Sequence, residues 1–308
     1  GMIAYQGGQK KQAVELITKA LSVDPDYPEA HSNLGSVFQD LGLSEESISS
    51  FNKAIKLKPD HIESHYNLGN VLRNMGQLEE AVKCYDKALT LKPDFTDAYS
   101  NLGNTFKDLG RENEAVNSYK MALSLNPNNI SILNNLGTTL INLGCLGEAL
   151  ENFNKALDMN PNQIETLNNI GNLTQELGNV KKSVEFYHQA LAIKSDYAEA
   201  HNNLGLAYQN LGQLDEAVKS YQNAIDLKPR YVEAYNNIGL VYLEQGSLNE
   251  GMSNLRKAIA LNPILPETQN NLGNLNRELG KIGDAIINYR QALALNPSYN
   301  EAFSNTRL

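Results

Sequence analysis

The chain repeats itself every 34 residues, and that period constrains its fold more than any other feature. An asparagine followed by an apolar residue and a glycine occurs at Asn33, Asn67, Asn101, Asn135, Asn169, Asn203, Asn237 and Asn271. Asn305 keeps the spacing but is followed by Thr306 and Arg307. A unit of this length cannot bury an apolar face alone; it must stack on its neighbours into a quasi-linear array. The array therefore replaces the two globular domains that 308 residues would otherwise suggest.

With the first glycine of each unit numbered position 8, eight full repeats run 28–61, 62–95, 96–129, 130–163, 164–197, 198–231, 232–265 and 266–299. Residues 1–27 supply the end of an earlier repeat, mainly its second helix, and 300–308 begin another. Glycine recurs at positions 8 and 15, and proline at position 32. Each unit reads as two helices. Helix A covers about positions 1–14, with positions 4, 7, 8 and 11 spaced as one packing face. The position 15 glycine sits where a helix ends in a left-handed residue. Helix B follows, with a small residue at position 20, an aromatic at position 24 in most repeats and alanine at position 27. Proline at position 32 cannot continue it and forces the turn. Pairs such as Asp26 and Glu29, or Asp60 and Glu63, predict N-capping boxes at the start of helix A.

The alternation of small and large residues at positions 4, 7, 8, 11, 20, 24, 27 and 32 resembles the tetratricopeptide repeat (TPR) family. The resemblance covers nearly the whole chain and implies an all-α, right-handed superhelix of helix pairs that acts in protein–protein interaction. The asparagine column and the Asn-Leu-Gly signature are closest in style to the TPR arm of the O-linked N-acetylglucosamine transferases. Such arms line their groove with asparagines that hold an extended polypeptide. Their catalytic domain lies C-terminal to the repeats, and nothing here resembles it. A terminal-carboxylate clamp of the chaperone-binding type is not expected, because position 6 is never arginine. Gly251 at position 20 and Leu255 at position 24 mark the seventh repeat as a weak point, since glycine within a helix costs about 1 kcal/mol against alanine.

On a helical wheel, positions 2, 6, 9 and 13 of helix A fall opposite the packing face. In a stack with helix A inside, they form the concave wall. The candidate peptide-binding residues are the column Asn33, Asn67, Asn101, Asn135, Asn169, Asn203, Asn237 and Asn271, with position 9 adding Asn70, Asn104, Asn172 and Asn274. An amide offers donors and an acceptor, as a peptide unit does, and can hold a backbone without reading its side chains. The same asparagines have a second reading, as bonds to neighbouring helices that fix the stack. The acids at position 2 are accounted for by helix capping and the helix dipole. Those at position 13, such as Asp108 and Glu176, sit where anions are disfavoured and would bias the groove toward basic or hydroxyl-rich segments.

The remaining chemistry is sparse. His61 and His65 are spaced like two zinc ligands but lack a third, and His31, His65 and His201 share position 4 as packing residues. No phosphate loop or nucleophile motif occurs, so no catalytic residue, cofactor or metal is expected. A net charge of −9 argues against nucleic acid and anionic membrane surfaces as partners. No apolar run approaches ~20 residues and no secretory signal opens the chain, which points to the cytoplasm. Cys84 and Cys145 lie two repeats apart and should stay unpaired. Gly1-Met2 reads as the remnant of a tag. The expected function is a scaffold that binds extended polypeptide along the concave groove. The alternative is the substrate-recruiting arm of a larger glycosyltransferase-type enzyme. The uncapped ends offer end-to-end self-association as a further partner mode.

Overall fold

The computed structural model describes residues 7–306. Gly1-Met2, and the Arg307 that breaks the signature, lie outside the described residues. Among the described residues the secondary structure is helical throughout, with eighteen helices. The chain divides into two compact units, Gly1–Met159 and Asn160–Leu308. In the first, α1 (Lys10–Val23) precedes the pairs α2 (Pro28–Asp40) with α3 (Ser44–Leu57), α4 (Ile62–Asn74) with α5 (Leu78–Leu91), α6 (Thr96–Asp108) with α7 (Glu112–Leu125), and α8 (Ile130–Asn142) with α9 (Leu146–Met159). In the second, α10 (Ile164–Glu176) pairs with α11 (Val180–Ile193), α12 (Ala198–Asn210) with α13 (Leu214–Leu227), α14 (Val232–Glu244) with α15 (Leu248–Leu261), and α16 (Pro266–Glu278) with α17 (Ile282–Leu295). The short α18 (Asn300–Asn305) packs on α17.

The glycine at position 15 follows helix A in each of the eight described pairs. Gly8, Gly42 and their seven counterparts have φ between 70° and 78°, the left-handed conformation that glycine adopts without a Cβ penalty. The next residue then turns its N–H back to the position 11 carbonyl, as from Leu43 to Phe38 (2.9 Å) and from Gln213 to Tyr208 (2.9 Å). This six-to-one bond closes the helix on one of its own orphan carbonyls. It leaves a three-residue connection before helix B, so the two helices must pack side by side.

Their packing is set by position 8. A Cβ built on Gly205 would lie 2.8 Å from the Tyr221 ring, and one on Gly35 would lie 2.8 Å from Phe51. The side chain at position 24 is fully buried in every pair, with Phe51, Tyr85, Tyr119, Phe153, Tyr187, Tyr221, Leu255 and Tyr289 all at 0% exposure. Position 20 closes the same contact from the other side. Ser47 there donates from Oγ to the Gly35 carbonyl at 2.8 Å. At Gly251 an added Cβ would meet Leu275 Cδ1 at 2.9 Å and the Gly239 carbonyl at 3.0 Å. Alanine would therefore bring helix propensity and a steric cost together, which propensity alone does not reveal.

The predicted capping boxes are not formed. Position 33 lies in the turn, and the helix begins one residue later than the pattern suggests, with Tyr27, His61, Gln163 and Tyr197 at the N-cap. Among the A helices, His61 and Asn129 cap with their side chains, accepting from the N–H of Ser64 (3.2 Å) and Ile132 (3.1 Å). The position 2 acids Glu29 and Glu199 instead pair with position 31 lysines, Lys58 at 3.1 Å and Lys228 at 3.3 Å. Position 4 histidines tie the repeat to the preceding turn. His31, His65 and His201 donate from Nε2 to the carbonyls of Pro25, Pro59 and Ser195 at 2.8–3.0 Å. The donor must be the ring N–H, because a carbonyl only accepts.

Within each unit, successive A helices touch one another, while the B helices stand further apart. Each stack therefore curves with helix A inside. Gly205→Leu should lower stability by about 3 kcal/mol, since the added side chain has no space against Tyr221. Thermal melts followed by far-ultraviolet circular dichroism would show it; a melt matching the parent would mean that this contact does not set the packing.

Candidate peptide-binding groove

Positions 2, 6, 9 and 13 line shared hollows on the inner face. In the first unit, a hollow of about 660 Å³ is bordered by Glu29, Asn33 and Ser36 of α2 and by Glu63 and Asn67 of α4, with Lys58 at its edge. In the second, one of about 480 Å³ is bordered by Asn172, Gln175 and Glu176 of α10 and by Asn203, Leu206 and Asn210 of α12. The column residues from Asn33 to Asn237 are half-buried, and Asn271 is buried.

The column is also a set of struts between repeats. Asn101 donates from Nδ2 to Asn70 Oδ1 (2.9 Å) and Asn135 to Asn104 Oδ1 (3.1 Å). In the second unit the acceptor changes. Asn203 donates to Asn168 (3.1 Å), Asn237 to Asn202 (3.3 Å) and Asn271 to Asn236 (3.0 Å). Asn305 reaches both kinds of acceptor, Asn270 at 3.1 Å and Asn274 at 3.2 Å. The asparagine acceptor is thus position 9 of the preceding repeat for Asn101 and Asn135, position 5 for Asn203, Asn237 and Asn271, and both for Asn305; Asn101 also donates to the Tyr66 hydroxyl at position 5 (3.0 Å). Position 5 was not among the candidate residues. Its signal was the doubled asparagine that begins at Asn134-Asn135 and recurs through Asn270-Asn271. The first repeat offers Ser32 and Ser36 at these positions, where a hydroxyl is shorter than an amide.

Position 9 has a further partner. Tyr85, Tyr119, Tyr187 and Tyr289 donate their hydroxyls to Oδ1 of Asn70, Asn104, Asn172 and Asn274 at 2.7–2.9 Å. Burial pushes these phenols well above their ordinary pKa, so they stay protonated donors. The oxygens of Asn70, Asn104 and Asn274 therefore each accept two bonds, the full capacity of an amide carbonyl. The sequence carried this pairing as well. Four of the five position 24 tyrosines accompany asparagine at position 9, Tyr221 with Leu206 being the exception, whereas Phe51 and Phe153, which have no hydroxyl, accompany Ser36 and Thr138.

The struts leave the column chemically competent. Asn135, Asn203 and Asn271 each use one of their two N–H groups in the ladder, whereas the Asn101 amide donates both, to Asn70 Oδ1 (2.9 Å) and to the Tyr66 hydroxyl (3.0 Å). For Asn135, Asn203 and Asn271, no donor among the described residues reaches the side-chain oxygen. One N–H and one C=O thus remain, the same pair that a peptide unit presents.

Other candidate residues settle into structure. His61 Nδ1 accepts from Ser64, and His65 Nε2 donates to Pro59, so both are already engaged. No group of three or more metal-ligating side chains occurs among the described residues. Cys84 and Cys145 are free thiols, and no described helix is long and apolar enough to cross a membrane. At position 13, Asp108 pairs with Arg73 of the preceding repeat (2.7 Å) and Asp40 with Lys10 (3.5 Å).

The TPR repeat family pattern matches residues 1–42, 69–110, 103–144, 175–212 and 210–246, more than half of the chain. The chain belongs to the tetratricopeptide repeat family. Further tetratricopeptide repeat patterns match 28–61, 50–83, 130–163, 232–264 and 266–299. No curated protein sequence matches this TPR chain. Among solved structures it is similar to the APC/C hetero-tetramer Cut9-Hcn1, at 19% identity and a TM-score of 0.65 over 85% of the chain. It spans about half, 52%, of that protein. A tetratricopeptide repeat protein from Parabacteroides merdae ATCC 43184 is 21% identical, with a TM-score of 0.66, covering 80% of this chain and 97% of that one. YrrB, described as a TPR protein with an unusual peptide-binding site, is 24% identical, with a TM-score of 0.54, covering 61% of this chain and 96% of its own. At these identities the likeness is one of fold.

Tyr119→Phe keeps the ring against Gly103 and removes only the hydroxyl bond to Asn104. It should cost about 1 kcal/mol in urea unfolding. Unchanged stability would show that the Tyr–Asn bond adds nothing to the pair.

Proposed function

We propose that this TPR chain is an interaction scaffold that holds extended polypeptide along the inner face of its A helices, with the asparagine column contacting the peptide backbone. The observation that carries this reading is the residual pairing capacity of Asn135, Asn203 and Asn271, one N–H and one C=O each, on an inner face with open hollows beside Asn33, Asn67 and Asn203. The family membership and the peptide-binding site named for YrrB accord with it. The chemistry around the column accords with binding rather than catalysis, since the histidines and tyrosines nearby are engaged in structural bonds.

The strut role and the ligand role separate experimentally. Changing Asn135, Asn203 and Asn237 together to Ala removes three inter-repeat bonds and three wall amides. At a temperature where circular dichroism shows the fold intact, capture of an unfolded polypeptide should weaken about tenfold or more, from roughly 0.5–1.5 kcal/mol per lost hydrogen bond. If stability falls while binding of the still-folded variant is unchanged, the amides are struts alone and the backbone-contact reading fails.

A further inference from the structure

The inner wall of the second unit departs from the amide pattern at one place. Position 9 is Leu206 in α12 and Leu240 in α14, where four other repeats carry asparagine. Leu206 is 39% exposed and borders the 480 Å³ hollow, and Leu240 is half-buried at the equivalent place on the next A helix. Neither leucine is required by the ladder or by the position 24 ring. Asn237 and Asn271 take their acceptors from position 5, at Asn202 and Asn236. The hydroxyl of Tyr221 turns to Gln209 Oε1 at 3.3 Å, and position 24 of the next repeat is Leu255, which has no hydroxyl. The doubled asparagines thus free position 9, and an apolar surface occupies it facing the hollow.

Carboxylates flank this surface. Glu176 borders the same hollow, and Glu233 and Glu244 stand at positions 2 and 13 of α14. Among the described residues, no lysine or arginine lies within 4.0 Å of any of the three. Glu244 accepts only from the neutral amide of Gln209, at 2.5 Å. The first unit differs, because its position 13 acids are neutralised by Arg73 and Lys10. The uncompensated carboxylates set the sign of the field along the wall, and the leucines supply the apolar contact that desolvates it.

We infer that the second unit's groove selects an extended polypeptide segment carrying lysine or arginine on both sides of an aliphatic side chain, which seats against Leu206 and Leu240. This rests on the groove reading above and adds sequence preference to it. The amides hold the backbone of any segment, the leucines select an apolar residue, and Glu176, Glu233 and Glu244 select its cationic neighbours.

The test uses the whole chain and three labelled synthetic peptides of about 12 residues, which extend to about 40 Å. The first places leucines among lysines and glycines, the second replaces leucine by serine, and the third replaces lysine by glutamate. By fluorescence anisotropy, the lysine–leucine peptide should bind about tenfold or more tightly than either of the others. Its advantage over the glutamate peptide should shrink as salt rises to about 0.5 M. Leu206→Asn with Leu240→Asn restores the residue used at position 9 elsewhere, and should abolish the leucine-over-serine preference. Glu176→Gln, Glu233→Gln and Glu244→Gln together should abolish the lysine-over-glutamate preference. If all three peptides bind the parent equally, or the variants keep both preferences, the selection is overturned while the amide groove stands. If no peptide binds at all, the groove reading falls and this inference falls with it.

Discussion

The contact on which the structure depends is the approach of a position 24 side chain to a position 8 backbone that has no side chain. At 2.8 Å from an absent Cβ, the Tyr221 ring lies directly on helix A, and nothing larger than glycine leaves room for it. Repeated in eight pairs, this contact fixes how helix A lies against helix B, and therefore which face of helix A is left over. With the packing face committed at positions 4, 7, 8 and 11, positions 2, 6, 9 and 13 have nowhere to point except the inner wall. Function in this fold is thus a consequence of packing: the wall consists of whatever the glycine contact excludes from the core. A ring buried at 0% exposure also brings its hydroxyl to the edge of that wall, where the position 9 amide receives it.

The amide column shows how one side chain serves both stack and surface. A carboxylate in its place would accept but not donate, and a lysine would donate but not accept; either would break the ladder or charge the groove. Asparagine can donate one N–H to the preceding repeat and still present a peptide-like pair. Its poor helix propensity, roughly 0.6 kcal/mol per residue relative to alanine, is offset by an inter-repeat bond of about 1 kcal/mol. The acceptor arrangement then diverges between the units. Where position 5 is Tyr66 or Ser100, the position 9 asparagines Asn70 and Asn104 receive the strut, and the Tyr66 hydroxyl also accepts from Asn101. Where position 5 is Asn202 or Asn236, position 9 is released from that duty.

Much of this was legible in the sequence because the period is strict. The glycine and proline columns gave the helix pair, and the helical wheel gave the inner face. Placing the helix start required coordinates. A capping box and a turn residue one position upstream look alike in sequence, and only the backbone shows that Asp60 lies in the turn while His61 caps α4. The role of position 5 was hidden for a related reason. At 100° per residue, Asn202 sits between the packing face and the wall, and a wheel of one helix cannot show that the neighbouring A helix reaches across to it. Pairings between repeats, 31 or 35 residues apart, belong to the stack. Traces of them were present in the doubled asparagines and in the matching of Tyr119 with Asn104 and of Phe153 with Thr138.

A wall made only of amides would read length and little else. Each backbone contact contributes about the same free energy whatever residue it holds, so affinity would rise with the number of repeats engaged and discrimination would not. Discrimination requires a break in the pattern, and a break is tolerable only where the stack does not depend on the residue replaced. In the first unit Asn70 and Asn104 at position 9 receive both the strut and the tyrosine hydroxyl, so replacing one removes two bonds. In the sixth repeat the strut has moved to Asn202 and the hydroxyl to Gln209, and there the wall can carry leucine at no cost to either bond. The redundancy of acceptors at positions 5 and 9 is therefore what frees the wall at position 9 to carry a residue other than asparagine.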